Sequence, residues 1–555
     1  MSNGNGTRAL LDLRAARAAL AQAGGKEKLE LLLGGPDPRA LVQSLPPQEL
    51  YLAVLDIGLD DSAEVVSLAS PQQFVHFLDA GCWPKRDAPP DPRKLLKWMT
   101  LARFGADRTD LLLRRYYGKL QAVDAELFSL LLRFELIVHE VEENEPLPDV
   151  PSGNSWTTPD RRYVVEIKED GSGYAVLTRL LEDLAAQDPF MVSRTLEAIR
   201  WDVPTELEET ARRWREGRLR DLGVPGIEEA LGFVARPPRS KAAQAVGAPT
   251  IQPAAAAAPE AAAVTALTAP LRAQAPLLDR AVARLSGAEL DFAEEAIAYA
   301  ANAALVAWSV QLDDATEVHR VLTDARSLLS LGLELVSGGD EAEAARAVSD
   351  RPVRQIFQAA MAELYRLQAR ARAAARGVRL PQAQTATLLE PPHALLVDAL
   401  SATPPAVAGL AGLEPVHGPP TAGARRGQRP PAHAPSTRAA VAQADALLEE
   451  VEAMAHLFAA LGLAPAAVGA AAEEASLAPS ALRAADVLRA LVLCALRSAP
   501  FTLQGLPDRG SPQPEGLGAR LDALLEEGFA KLSKVANPAA ARRIADVLRA
   551  RVVEG

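Results

Sequence analysis

The chain has 555 residues, 49% of them hydrophobic and 23% charged, so it is long enough to bury several hydrophobic cores. Its formal net charge of -12 argues against broad electrostatic binding of nucleic acid or of an anionic membrane, because both need a clustered positive surface. The two cysteines, Cys82 and Cys494, lie far apart in sequence, which predicts neither a disulfide framework nor a four-thiolate metal site and indicates a reducing cytoplasm.

The N-terminal segment is polar first and then carries arginines and an aspartate within its apolar stretch, unlike a secretory signal. No run of about eighteen apolar residues is free of charges and prolines, which is the length that a membrane-spanning helix needs. We therefore expect a cytoplasmic protein with no membrane insertion and no nucleic acid among its partners.

Alanine, leucine, glutamate and arginine dominate the chain and runs of β-branched residues are scarce, which predicts a mainly α fold. Two similar segments, "PPQELYLAV" and "SPQQFVHFL", begin at prolines 24 positions apart and place Leu50 in register with Phe74. Between them, Asp61 and Glu64 have the spacing of a capping box. We expect short stacked helices of the α-solenoid or helical-hairpin type.

The segment "SPQQFVHFLDAGCWP" gathers residue types that ligate metals or catalyse reactions, yet its spacing predicts a helix. Ser70 is followed by Pro71, and Gln73 stands three residues after it, which is a capping-box start. On a helical wheel His76 lies opposite the apolar side chains. We therefore expect His76 to face solvent and to pair with Asp79, one turn further on.

The end of this segment predicts a packing role for its cysteine. Gly81 is expected just beyond the last helical residue, which allows Cys82 to fold against Phe77. A catalytic cysteine and histidine must lie within hydrogen-bond reach, and here Cys82 and His76 are expected on different sides of the helix. We interpret Cys82 as structural.

One later segment has the alternation of a strand. Tyr163, Val165 and Ile167 alternate with charged or smaller residues and are followed by Asp170 and Gly171, a hairpin-type turn. We predict one small β-hairpin near residues 162–177. An isolated ribbon is marginal in water, so the hairpin should lie against neighbouring helices.

The densest polar segment is "ELEETARRWREGRLRDLGVPGIEEAL". A helix there would bury a stripe formed by Leu207, Ala211 and Trp214. Acidic and basic side chains at a spacing of four would also pair along its surface. The expected pairs are Glu208 with Arg212 and Glu209 with Arg213.

Arginines clustered near the end of this helix form the candidate ligand site, because guanidinium groups bind phosphate or carboxylate in bidentate fashion. The candidate residues are Arg212, Arg213, Arg215, Arg218 and Arg220. The alternative is an internal ion-pair network that binds nothing. Its acidic members would be Glu216, Asp221, Glu228 and Glu229.

No metal site, catalytic residue or cofactor is predicted. His139 opens a sequence similar to a zincin motif, but Glu143 stands where the second histidine should be. The other histidines lack matched ligands at a fixed spacing. These are His319, His393, His417, His433 and His456. The sequence also has no P-loop, GxGxxG, nucleophile-elbow or kinase motif.

Two stretches rich in alanine and proline divide the chain, because they bury too little surface to offset their ordering entropy. The second contains "LLEPPHALLVDAL", which could pack or form a short helix, and Asp340 is expected to start a helix, with Glu343 three residues later. The predicted organisation is a helical domain with short repeated helices at 1–145, a β-hairpin with helices and the arginine-rich segment at 146–235, a disordered linker at 236–276, a helical domain at 277–380, a Pro/Gly/Ala-rich insert at 381–437 and a C-terminal helical domain at 438–555.

Three stretches, "LVQSLPPQELYLAVLDIGLDDSAEVVSLASPQQFVHFLDAGCW", "RWREGRLRDLGVPGIEEAL" and "SLGLELVSGGDEAEAARAV", resemble an uncharacterised bacterial family, domain of unknown function 6178. The resemblance covers the first 235 residues best. It implies no activity, cofactor or catalytic residue. The "LPPQEL" and "SPQQF" units are also similar to the helical N-terminal module of MgtE-type magnesium transporters, as an analogy of architecture.

These patterns favour a helical scaffold that binds another protein along its helix surfaces, without catalytic activity. The alternative is an enzyme or sensor that holds an anionic metabolite or nucleotide through the Arg212–Arg220 cluster. An open cavity with converging guanidinium groups would favour the ligand. Full pairing of these groups with carboxylates would favour the scaffold.

Overall fold

A computed structural model gives the fold of most of the chain. The residues it describes are 16, 19–20, 23–83, 88–142, 150, 154–168, 172–235, 276–381, 388–408, 410, 432–478, 482–507, 514–532 and 537–554. The linker predicted at 236–276 lies outside the described residues apart from Pro276, and so do parts of the insert predicted at 381–437.

The fold is mainly α, as predicted. In chain order the helices are α1 (Gly25–Leu33), α2 (Pro38–Ser44), α3 (Pro47–Ile57), α4 (Ala63–Leu68), α5 (Pro71–Gly81), α6 (Pro92–Ala102), α7 (Asp110–Gln121), α8 (Ala125–Leu132), α9 (Ser172–Gln187), α10 (Pro189–Trp201), α11 (Pro204–Asp221), α12 (Ile227–Val234), α13 (Pro276–Val282), α14 (Ala288–Ala307), α15 (Ala315–Ser337), α16 (Glu341–Asp350), α17 (Val353–Ala375), α18 (His393–Ser401), α19 (Arg438–Ala460), α20 (Pro465–Glu474), α21 (Ala484–Leu496), α22 (Leu517–Leu532) and α23 (Pro538–Glu554). A 3-10 turn occupies Ala106–Arg108.

The chain divides into two compact units. The first contains the described residues up to 234 together with 285–323, and the second contains 235, 276–284 and the described residues of 324–554. In the first unit one hydrophobic core runs from Leu20 to Ala211 and takes in helices on both sides of residue 145. Burial of this continuous apolar surface is the main stabilising contribution in the first unit.

Local capping chemistry explains where several helices begin. The side chain of Asp340 accepts a hydrogen bond from the backbone N–H of Glu343, which confirms the predicted start of α16. The capping box expected from Asp61 and Glu64 is wrong. Ser62 occupies the N-cap position of α4 and makes no side-chain cap, so Asp61 lies one residue too far from the helix.

The β structure is a three-stranded antiparallel sheet in the order β1, β3, β2. Its strands are β1 (Leu136–Glu140), β2 (Ser155–Thr157) and β3 (Tyr163–Ile167). Strands β2 and β3 form the small hairpin. Val165 of β3 lies opposite both Val138 of β1 and Trp156 of β2.

In this hairpin β3 is the second strand. It pairs with β2, which precedes it, and not with a strand after Asp170 as expected. The chain forms helix α9 from Ser172 onward. Helical spacing explains the difference, since the buried leucines in this stretch recur at intervals of three, one and three. They are Leu177, Leu180, Leu181 and Leu184.

In the second unit α19 packs against α17, α22 and α23, and α17 also packs against α18. Arg366 and Arg370 on α17 form ion pairs with Asp445 and Glu452 on α19. Helix α18 begins within "LLEPPHALLVDAL" and ends one residue after it, where a short helix was one expectation. Among the described helices no single one is long and apolar enough to cross a membrane, and only the bent pair of α19 and α20 meets that requirement by length and composition.

Candidate ligand-binding site

Helix α5 is fixed at its start by the predicted capping box. Ser70 Oγ accepts from the backbone N–H of Gln73, and the N–H of Ser70 donates to Gln73 Oε1. The side-chain nitrogen Nε2 of Gln73 donates to the backbone carbonyls of Val42 and Leu45, at 2.9 and 2.7 Å. These bonds tie α5 to the end of α2 and set its position in the core.

The structure buries His76 and Asp79, so the expectation that His76 faces solvent beside Asp79 is wrong. The exposed fraction is 6% for His76 and 1% for Asp79. Helix α11 covers this face of α5, and Nε of Arg215 donates to the backbone carbonyl of Asp79 at 2.6 Å. A wheel drawn for one helix cannot reveal a partner 136 residues away in sequence.

Gly81 belongs to α5 and does not follow it, which corrects the expected end of the helix. A Cβ atom on Gly81 would lie 2.6 Å from Nε1 of Trp98, so glycine permits the close approach of α5 to α6. Cys82 is fully buried, as expected of a packing residue. Burial raises the pKa of its thiol, which disfavours the reactive thiolate.

Helix α11 presents an arginine in its buried stripe. Leu207, Ala211, Arg215 and Leu219 are buried at a regular spacing of four. Trp214, which was expected in this stripe, is 56% exposed, so that expectation is wrong. Arginine can occupy a position in this buried stripe because its methylene groups can be buried while its polar end reaches hydrogen-bond partners.

Arg218 joins three helices of the first unit. Its Nε and Nη2 donate to the two carboxylate oxygens of Asp79 at 2.7 and 2.8 Å, and its Nη1 donates to Asp124 at 2.7 Å. Asp124 is the N-cap residue of α8. Burial raises the pKa of the Asp79 carboxyl, whereas the hydrogen bonds and charge of Arg218 act in the opposite direction.

The five candidate arginines occupy different environments. On the surface of α11, Arg212 pairs with Glu208, and Arg213 pairs with Glu209 at 3.1 Å. Arg218 is held by Asp79 and Asp124, which lie outside the acidic set considered from the sequence. The remaining two line a cavity. They are Arg215, which is buried, and Arg220, which is exposed.

The cavity lies in the first unit and has a volume of about 130 Å³. Residues of α3, α5, α11, α14 and α15 line it, together with residues that follow α5, α11 and α14. Its aromatic wall is formed by Tyr51, His76 and Trp83, and the guanidinium carbon of Arg215 lies 5.2 Å from the centre of the Trp83 ring. The apolar wall includes Leu305, Val306, Val310 and Leu312.

Two amides hold the loop that closes one side of the cavity. Gln48 donates to the carbonyl of Leu222, and Asn302 donates to the carbonyl of Gly223, each at 3.1 Å. Gly223 has a φ of +76°, a left-handed conformation that ends α11. The loop is therefore fixed from α3 and from α14, which gives the cavity a defined wall.

Three polar groups of the cavity-lining residues are buried without a hydrogen-bond partner within the described part of the chain. They are the hydroxyl of Tyr51, Nδ1 of His76 and Nε1 of Trp83. Their residues are only 3%, 6% and 3% exposed. A buried polar group without a partner costs about 1–3 kcal/mol, so three around one cavity is a notable concentration.

Burial also sets the protonation of these side chains. Burial, helped by the positive charges of Arg215 and Arg218, lowers the pKa of His76 to about 3. Burial raises the pKa of the Tyr51 hydroxyl well above its usual range. At neutral pH these three lining residues therefore carry a neutral imidazole, a phenol O–H and an indole N–H.

The described part of the chain gives no convergent metal ligands. Among the described residues, no group of three or more His, Cys, Asp or Glu side chains is placed to hold a metal ion. Several histidines lie beside a carboxylate. His139 lies 3.7 Å from Glu166, His319 lies 2.8 Å from Asp56, His393 lies 2.8 Å from Glu450, and His433 lies 3.8 Å from Asp324. Glu143 and His417 lie outside the described residues.

Fold and cavity together define a mainly α-helical protein with a ligand-sized cavity in its first unit. The chain belongs to the family of unknown function DUF6178, whose sequence profile matches residues 6–549. This match extends to nearly the whole chain the resemblance that was most evident in the first 235 residues. No curated protein and no solved structure matches the chain, so the likeness to the MgtE-type module gains no support.

Proposed function

We propose that the first unit binds a small molecule in the cavity lined by Tyr51, His76, Trp83 and Arg215. The observation that carries this proposal is a cavity of about 130 Å³ whose lining combines apolar side chains with aromatic rings and the buried Arg215. A ligand that fills the cavity would remove its own apolar surface and that of the lining side chains from water, which favours binding.

Binding without chemistry is the simplest function for this arrangement. Cys82 is buried beneath the end of α5, and its raised pKa keeps the thiol protonated. The low pKa of His76 makes it a poor acceptor of protons near neutral pH. We therefore propose a cytoplasmic ligand-binding or sensor protein and not an enzyme.

Ala80 offers a direct test, because its side chain lines the cavity and is 2% exposed. The full chain would be screened by thermal unfolding against small carboxylates, amides, alcohols and amines. A ligand present at about 100 times its Kd should raise the unfolding free energy by about 2.7 kcal/mol. Ala80→Leu fills the cavity and should abolish that stabilisation.

Ala122→Leu is the matched control, since it adds the same side chain at an exposed position outside the cavity. This variant should respond to the ligand as the unmodified protein does. A ligand that stabilises Ala80→Leu equally well must bind elsewhere, which would contradict the proposed site. A library that stabilises no form of the protein would contradict the proposed function.

A second function, binding of another protein, is favoured by exposed aromatic side chains in the first unit. Phe190 and Trp201 on α10 are 78% and 69% exposed, and Trp214 on α11 is 56% exposed. Exposed large aromatic residues are frequent anchors of protein interfaces. This is the scaffold role expected from the sequence, now with candidate contact residues.

A photo-crosslinking amino acid in place of Trp201 would test this second function in the native cell. We expect it to yield a discrete crosslinked product with another protein. The same amino acid in place of Leu111, which is 58% exposed on α7, serves as the control and should not give that product. Identical products from both positions would argue against a specific interface.

A further inference from the structure

We propose that the ligand of the cavity is a small neutral molecule with an apolar body about the size of a benzene ring and one hydroxyl or N–H group. This group would donate a hydrogen bond to the side-chain amide oxygen of Gln48 or Asn302. The inference rests on the proposed ligand-binding function and adds the chemical class of the ligand.

The side-chain amides of Gln48 and Asn302 line the cavity and hold the loop after α11. Nε2 of Gln48 donates to the carbonyl of Leu222, and Nδ2 of Asn302 donates to the carbonyl of Gly223. A backbone carbonyl can only accept, so these bonds identify which end of each amide is the oxygen. Within the described part of the chain, neither Oε1 of Gln48 nor Oδ1 of Asn302 accepts a hydrogen bond.

Both oxygens keep accessible surface although their residues are almost completely buried. Gln48 is 9% exposed and Asn302 is 4% exposed. Neither oxygen belongs to the fully enclosed, unpartnered polar atoms, which include the Tyr51 hydroxyl. Because both residues line the cavity, the space open to their oxygens is that of the cavity. An O–H or N–H group of a ligand can therefore reach them, whereas a ligand that only accepts hydrogen bonds cannot satisfy them.

The charged groups in and beside the cavity favour a neutral ligand, because they already have partners. The contacts are those of Arg215 with the Asp79 carbonyl, of Arg218 with the Asp79 and Asp124 carboxylates, and of Asp313 with Lys94. Glu216 also has an interaction partner. Arg220 is exposed to water, where a charge contributes little to binding. An ionised ligand would lose hydration in the cavity without gaining a buried counterion.

The apolar wall and the volume set the size of the ligand body. Leu305, Val306, Val310 and Leu312 offer only hydrocarbon side chains to a ligand. A cavity of about 150 Å³ lined by apolar side chains is known to hold benzene. The volume of about 130 Å³ found here is of the same order, so the ligand body should be a short aliphatic chain or one small ring.

Calorimetric titration of the full chain at neutral pH tests this class with matched probes. The probes are phenol, toluene, benzoate and benzylammonium, which share one ring and differ in the attached group. We expect phenol to bind about fivefold more tightly than toluene, because only phenol donates a hydrogen bond. Benzoate and benzylammonium should bind at least about tenfold more weakly than phenol, because their charges lose hydration on binding.

Gln48→Met and Asn302→Leu remove the amide oxygens and show where the hydroxyl of phenol binds. At least one of these variants should lower the affinity for phenol to that for toluene or below it. The ratio of the two affinities is the informative quantity, since a loosened loop would weaken the binding of both probes together. Gln43→Met is the matched control, because the Gln43 amide also donates to a backbone carbonyl, that of Leu68, but does not line the cavity. This control should keep the preference for phenol.

The outcomes separate this inference from the proposed function. Toluene binding as tightly as phenol to the unmodified protein would overturn the hydrogen-bond donor class and leave a cavity for apolar ligands. A charged probe that binds as tightly as phenol would overturn the neutral class. An unchanged preference for phenol in both Gln48→Met and Asn302→Leu would place its hydroxyl elsewhere and overturn the inference. Failure of every probe to bind would also overturn the class, and the Ala80→Leu screen would then decide the proposed function by itself.

Discussion

Single residues are predictable from the sequence when their role is local. The caps at Ser70 and Asp340 were predicted correctly because a cap depends on residues within one turn of the helix. His76 and Asp79 were not, because their burial depends on Arg215 and Arg218 in a distant helix. Polar residues on a short helix therefore reveal their environment only when their spatial partners are known.

Burial of His76 predicts a loss of stability in mild acid. The pKa of His76 is lowered from its usual 6.5 to about 3 in the folded state, so the unfolded chain binds this proton first as the pH falls. The free energy of unfolding is therefore unaffected by this group above pH 6.5. Below that pH it declines by up to about 1.4 kcal/mol per pH unit. His76→Gln removes this dependence.

Urea unfolding of both proteins between pH 7.5 and about 5 measures it. The difference in unfolding free energy should be constant at the upper end of the range and shift in favour of His76→Gln as the pH falls. A difference that does not change over the whole range would mean that His76 is protonated equally in the folded and unfolded states.

At the scale of elements, helix positions follow from the sequence and their pairings do not. The hairpin was predicted from the alternation of residues in β3. The strand that pairs with β3 is β2, which precedes it, and the segment expected to form the second strand is helix α9. Trp214 was assigned to the buried stripe of α11, and the structure buries Arg215 instead. Periodicity identifies an amphipathic element, whereas the choice of its neighbour depends on long-range packing.

The contact between α5 and α6 predicts that Gly81→Ala destabilises the first unit. Alanine has the higher helix propensity, by about 1 kcal/mol, which alone would stabilise α5. A Cβ atom only 2.6 Å from Nε1 of the buried Trp98 requires the helices to shift, and we expect a net loss of about 1–3 kcal/mol.

Gly118→Ala in α7 is the matched control, because the nearest atom to its added Cβ would be Pro71 Cγ at 4.0 Å. There we expect a gain of up to about 1 kcal/mol from propensity. Urea unfolding compares both variants with the unmodified protein. Similar effects at Gly81 and Gly118 would show that packing against Trp98 is not limiting.

At the scale of the whole molecule, composition predicts the fold class but not the cavity. The residues that line it come from stretches near 48–83, 215–226 and 302–318, and no local pattern connects them. The arginine-rich segment was a useful signal, since Arg215 and Arg220 reach the cavity wall. The signal was incomplete because Tyr51, His76 and Trp83 look like ordinary core residues in sequence.

The division into two units has a consequence for spectroscopy. All six tryptophans of the chain, at positions 83, 98, 156, 201, 214 and 308, fall in the first unit. Tryptophan fluorescence therefore reports on the first unit and not on the second. Trp83 lines the cavity, so a ligand in contact with its ring should change the fluorescence emission directly.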